Sequence, residues 1–172
     1  WMPAISLYSL KDQMAGRKAL DLALWERASA AGKVTQGLET PEGQIGQLNK
    51  LTEKEQVVLV QASLDEIESA GDEDPMEPLR QAYLEGNAAK VQKIVLESIQ
   101  PDENIPQSFV DKFKRLLFTE RNTVMATSIQ KQLKSQPDKS HFFVAGAGHY
   151  VGPDSVAEIL KKAGYTITRI TE

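Results

Sequence analysis

Residues 141–170 read HFFVAGAGHYVGPDSVAEILKKAGYTITRI, and the fold class turns on how this stretch is read. His141-Phe142-Phe143-Val144-Ala145 has the short apolar, aromatic and β-branched character of a strand, and Gly146 to Pro153 follows as a turn. Ser155-Val156-Ala157-Glu158 has capping-box spacing, Lys161 and Lys162 suit a helix C-terminus, and Gly164 suits its stop. Tyr165 to Ile170 reads as a second strand. The pattern predicts a βαβ unit whose right-handed crossover makes the two strands parallel.

Working back along the chain, Phe113, Leu116, Leu117, Val124, Ile129 and Leu133 recur at helical spacing, which predicts one long helix or two abutting helices ended by Pro137. Asn87 caps a helix carrying Val91, Ile94 and Val95 on one face, broken by Pro101 to Pro106. Between Asp65 and Glu77 there are seven carboxylates interrupted by Gly71 and Pro75, a solvated turn between helices. Calcium is the sharper reading of that segment, but EF-hand spacing is lacking. Thr52-Glu53-Lys54-Glu55 is a second capping box, ahead of a helix fading near Ser69, and Thr40-Pro41 marks another helix start. Val34 to Leu38 reads as a buried strand, and Pro3 to Ala31 as helical, with Leu20, Leu24 and Ala28 on one face and Gly32 as its stop. The expected fold is therefore α/β and mainly helical: a small parallel sheet from strands near 34–38, 141–145 and 165–170, and a helical segment over about 41–135.

The 172 residues fit one α/β domain over 1–172. Trp1-Met2-Pro3 leads straight into an apolar-rich segment, which predicts that the domain is the carboxyl-terminal part of a larger one. Twenty basic and twenty-four acidic side chains give a net charge of -4 without a long basic run, so no nucleic-acid partner is expected. There are no cysteines, which excludes disulfides, thiolate ligands and a cysteine nucleophile. No apolar run reaches the roughly 18 residues of a membrane span.

In an open α/β sheet, ligands gather beyond the carboxyl ends of the strands. Glu39 and His149 fall there: a carboxylate and an imidazole that suit a divalent metal, or a base and its orienter. By position alone, a histidine in a glycine-rich turn is more often a turn residue, and a glutamate ending a strand more often solvated or a cap. His141, at the opposite end of its strand, is structural. Gly146-Ala147-Gly148 after a strand also mimics a dinucleotide fingerprint, but Val151 stands where the third glycine belongs.

Three ordered clusters carry a resemblance. Gly37-Leu38-Glu39-Thr40 with Glu42 and Gln44, then Glu120-Arg121-Asn122 with Met125-Ala126, then Phe143 through Asp154 resemble the TraB/PrgY/GumN/TIKI family, as does Ala163 to Ile170. The resemblance implies a metal-dependent, peptidase-like hydrolase. It implies Glu39, Arg121, Asn122 and His149 as catalytic residues, His149 and Glu39 as ligands of a divalent metal, and Arg121 as the partner of a substrate carboxylate or oxyanion. His149 closes the second of the family's two Gly-x-x-His motifs; the first is absent from this sequence, leaving two candidate donors where a catalytic centre needs about three. Further expectations are a peptide or protein substrate, a homo-oligomer through an open sheet edge, and export to the periplasm or cell envelope. The alternative is a non-catalytic binding or interaction domain with the same fold, and after it a nucleotide-binding module.

Overall fold

The computed structural model describes residues 14–16, 18–70, 74, 76–98 and 105–170, except for the side chains at 63, 66, 67 and 70. The expected helix over Pro3 to Ala31 lies partly outside these residues, as do Gly71 and Pro75 of the acidic turn and Pro101 to Asn104 of the predicted break.

Eight α-helices form among the described residues: α1 (Leu20–Ala30), α2 (Pro41–Leu48), α3 (Glu53–Ala70), α4 (Glu77–Leu84), α5 (Ala88–Ser98), α6 (Gln107–Lys114), α7 (Glu120–Ser135) and α8 (Val156–Lys162). Their starts follow the side-chain chemistry of the sequence, because the first turn of a helix has N–H groups that need acceptors. Thr40 accepts from Gly43 N, Asn87 from Lys90 N and Ser155 from Glu158 N. At Thr52 the box is reciprocal: Glu55 N donates to Thr52 Oγ1, and Thr52 N donates to the Glu55 carboxylate at 2.7 Å. Gly32 and Gly164 sit at φ 69 and 93 just past α1 and α8, in the left-handed region that terminates helices.

A π-helical turn, Arg115–Thr119, joins α6 to α7, so that a single continuous helix runs from Gln107 to Ser135. Within the turn the Glu120 N–H bonds Arg115 O, five residues back. Burial records the same step. The buried positions Phe109, Val110, Phe113, Leu116 and Leu117 advance by helical spacing, then step five positions to Asn122, and resume at Met125, Ala126 and Ile129. Before the turn this helix packs with Leu51, Ala82, Val91 and Val95. After it, Met125, Ala126 and Ile129 pack with Val156 and Leu160 of α8. One helix thus serves two cores. Val124, which the sequence groups with the apolar face, lies outside both and is 47% exposed.

The α/β expectation is overturned: among the described residues there is no strand and no sheet, and the fold is helical. Residues 34–38, 141–145 and 165–170 are non-helical, but no backbone hydrogen bond joins any two of them. Their apolar pattern has another cause. Leu38, Phe143, Ala145 and Tyr165 pack against the α7–α8 core, while Val34, Phe142 and Ile170 are exposed at 91%, 81% and 92%. Packing on helices therefore calls for the same apolar, β-branched residues that a strand would, since strand preference largely measures fit to a half-buried surface. The βαβ unit and its parallel crossover fall with the sheet. The nucleotide reading also weakens, because the glycine-rich turn opens only a 3-10 turn, Ala147–His149, and α8 begins later at Val156.

Leu116, 1% exposed, marks the larger core, and Leu116→Ala is expected to cost about 2–5 kcal/mol in urea denaturation, whereas Val124→Ala on the same helix should change stability by less than about 0.5 kcal/mol.

Candidate functional site

The first two residues after Glu120, immediately beyond the π turn, face different partners from one helix. Arg121 reaches residues 82 positions earlier in the chain, and Asn122 residues 27 and 32 later.

Arg121 meets Glu39 side-on. Its Nε donates to Glu39 Oε1 and Oε2 at 3.0 and 3.1 Å, and its Nη2 to Oε2 at 2.7 Å. The pair is well shielded, with side-chain exposures of 19% and 7%. Glu39 is held in place from its own side by the turn into α2, whose cap is Thr40. A Cβ on Gly37 would stand 2.7 Å from the Glu39 carbonyl oxygen, so this tight turn requires glycine. The neighbouring Glu120 is committed elsewhere, to Lys50 and Arg115, and the Lys50 hydrogen bond is the main cause holding its carboxyl below the ordinary range.

Asn122, 2% exposed, donates from Nδ2 to the Asp154 carbonyl at 2.7 Å, and its Oδ1 lies 2.7 Å from His149 Nδ1. His149 is 8% exposed and sits on the 3-10 turn beside Phe118, ring centroids 5.4 Å apart. Gly148 permits this approach: a Cβ there would lie 3.1 Å from Phe118 Cε1. Burial, then the Arg121 charge, lowers the His149 pKa from 6.5 to about 4, with Glu39 opposing the shift. His149 is therefore a neutral imidazole at pH 7, one nitrogen tied to Asn122 and Nε2 without a partner among the described residues.

The structure thus gathers Glu39, Arg121, Asn122 and His149 around residues 121–122, although no sheet rim supports them. His141 lies apart, its Nε2 donating to the Gln136 carbonyl at 3.0 Å. Sequence reading missed Phe118 as the wall of the imidazole and the Asp154 carbonyl as the anchor of Asn122. Periodicity assigned Phe118 no role, and a backbone acceptor leaves no mark in the residue types.

A divalent ion would need about three protein donors. Among the described residues no group of three or more His, Asp or Glu side chains comes together. His149 offers one open nitrogen, while both Glu39 oxygens are bound to Arg121. This donor set does not by itself fit a metal centre.

The profile of the TraB/PrgY/gumN family matches residues 1–169. The chain belongs to this family. Among curated proteins, it is 28% identical to Metalloprotease TIKI1 of Homo sapiens over 94% of this chain and 35% of that protein. It is 28% identical to Metalloprotease TIKI2 of Xenopus tropicalis, over 88% of this chain and 32% of that protein, and 25% identical to the Metalloprotease TIKI homolog of Amphimedon queenslandica, over the same shares. The chain spans about a third of the length of these relatives. No solved structure gives a significant match. The Gly37–Glu39 and Gly146–His149 segments of this TraB/PrgY/gumN chain are the ones that meet the Arg121–Asn122 pair.

Two outcomes follow from the shielded groups. Arg121→Ala strands the Glu39 carboxylate and is expected to cost about 3 kcal/mol in denaturant unfolding, whereas the double variant Glu39→Gln/Arg121→Met should recover most of that loss. For His149 the folded pKa lies below the unfolded one, so the unfolded chain binds the extra proton between about 6.5 and 4. Its contribution is intact above pH 6.5 and declines as pH falls toward 4, amounting to about 3 kcal/mol across that window. The stability curve of His149→Gln should be flatter there by that amount.

Proposed function

We propose that this chain carries part of the active site of a peptidase-like hydrolase acting on peptide or protein substrates. The observation that carries the reading is that consecutive residues of one helix, Arg121 and Asn122, hold Glu39 and His149 from distant parts of the chain. Family membership and relatives named metalloproteases support the same class.

In this reading His149, kept neutral by burial and by the Arg121 charge, accepts a proton from the attacking water. Glu39 takes two donors of the Arg121 guanidinium and fixes its orientation, and the remaining N–H groups face a substrate carboxylate or the oxyanion formed at the scissile carbonyl. Asn122 orients the imidazole, and Phe118 shields it. A divalent metal ion belongs to the proposal at the level of the relatives' names. The one nitrogen that could serve it, His149 Nε2, is the atom that takes the proton here, and a lone pair cannot do both, so the roles assigned to this chain are those that need no ion. Activity on an exported substrate would agree with the envelope location that the resemblance implies.

One observation favours a second reading, a binding domain without catalysis: the Glu39 carboxylate is closed by Arg121 and therefore unavailable as a ligand or base. The test is peptide cleavage by the full-length protein, with and without added divalent ions. His149→Ala is expected to lower turnover by at least about 100-fold. Equal turnover in both proteins rejects the hydrolytic role of His149, and peptide binding without any turnover favours the binding domain.

A further inference from the structure

The imidazole of His149 can hold its single proton on either nitrogen, and the two choices make different sites. With the proton on Nδ1, Nε2 presents a lone pair; with it on Nε2, the site presents an N–H donor. We propose that Asn122 is a positioning residue that fixes His149 as the Nδ1–H tautomer, making Nε2 the lone-pair nitrogen of the site.

The argument runs through the amide. A backbone carbonyl can only accept, so the atom of Asn122 that lies 2.7 Å from the Asp154 oxygen is Nδ2, the donor. The atom turned toward His149 is then Oδ1, which can only accept, and at 2.7 Å the hydrogen between them belongs to Nδ1. Flipping the amide would set oxygen against oxygen at Asp154, and at 2% exposure Asn122 is closed to the bulk water that could compensate. The anchor is itself held. Asp154 directly precedes Ser155, 1% exposed, which caps α8, and Ser155 N bonds the Gly152 carbonyl. On its other side the ring lies against Phe118, centroids 5.4 Å apart and planes tilted by 46°.

His141 supplies an internal contrast. Its Nε2 lies 3.0 Å from the Gln136 carbonyl, an acceptor, so there the hydrogen is on Nε2.

The choice of nitrogen stands on the hydrogen-bond geometry; its effect on turnover rests on the hydrolytic reading above. The experiment is a long-range proton–nitrogen correlation spectrum of the histidine-labelled protein at neutral pH, with signals assigned by their loss in His149→Gln and His141→Gln. The expected result is a pyrrole-type Nδ1 and a pyridine-type Nε2 for His149. Finding the proton on Nε2 of His149 overturns the proposal without need of any Asn122 variant. Asn122→Leu is expected to move the proton to Nε2 and to lower kcat by about 10–100-fold with little change in KM. A moved proton with unchanged kcat overturns the positioning role. The expected tautomer in a protein that cleaves no peptide supports the lock and refutes the hydrolytic reading.

Discussion

The helix from Gln107 to Ser135 has to bury one stripe in two cores, and an unbroken α-helical period cannot do both in the observed arrangement. Phe109 to Leu117 fill the space against α4 and α5, whereas Met125, Ala126 and Ile129 meet α8. The π turn at Arg115–Thr119 absorbs the mismatch as a five-residue step. Arg121 and Asn122 follow directly, where the helix passes from one core to the other. Polar side chains are tolerated at that boundary because each finds a partner, Arg121 in Glu39 and Asn122 in His149 and the Asp154 carbonyl.

The same boundary accounts for the electrostatics. A shielded carboxylate–guanidinium pair beside a buried imidazole forms a three-member set in which only the histidine remains uncharged. Desolvation disfavours the imidazolium, and the Arg121 charge adds to that effect more than Glu39 offsets it. The result is a neutral nitrogen base close to a fixed cation, a combination that suits the handling of a polar carbonyl group and would be lost if Arg121 and Glu39 were free to separate. Glycines at 37 and 148 make the arrangement sterically accessible, one by admitting a carbonyl oxygen and the other by admitting the Phe118 ring.

Helix starts were the most legible feature, since a cap depends on residues three positions apart and needs no knowledge of the rest of the chain. Thr40, Thr52, Asn87 and Ser155 all cap as their spacing predicts. The four residues now found together were also readable as candidates, from the ordered clusters at 37–44, 120–126 and 143–154. The sheet expectation fails because short apolar, aromatic and β-branched runs cannot distinguish a strand paired with neighbours from an extended segment resting on helices. Phe143 and Ala145 pack inward and Phe142 outward in either case. The notion of a metal pair met a related limit: residue types name possible donors but not the partner each has already taken, and Glu39 is taken by Arg121.

By itself, then, the amino-acid sequence determined what depends on near neighbours: the helix caps, the apolar period of the long helix, the lack of thiol chemistry, and the set of polar residues able to do chemistry. The tertiary structure decided what depends on distance in space: that extended segments lie on helices unpaired, that a π turn rephases the long helix, and that Arg121 closes on Glu39 while Asn122 closes on His149. The physical reason is the range of the forces involved. Capping and periodicity act over one or two turns of the same backbone, whereas burial, ion pairing and the choice of hydrogen-bond partner are settled only when distant segments come into contact, as Glu39 and Arg121 do across 82 residues.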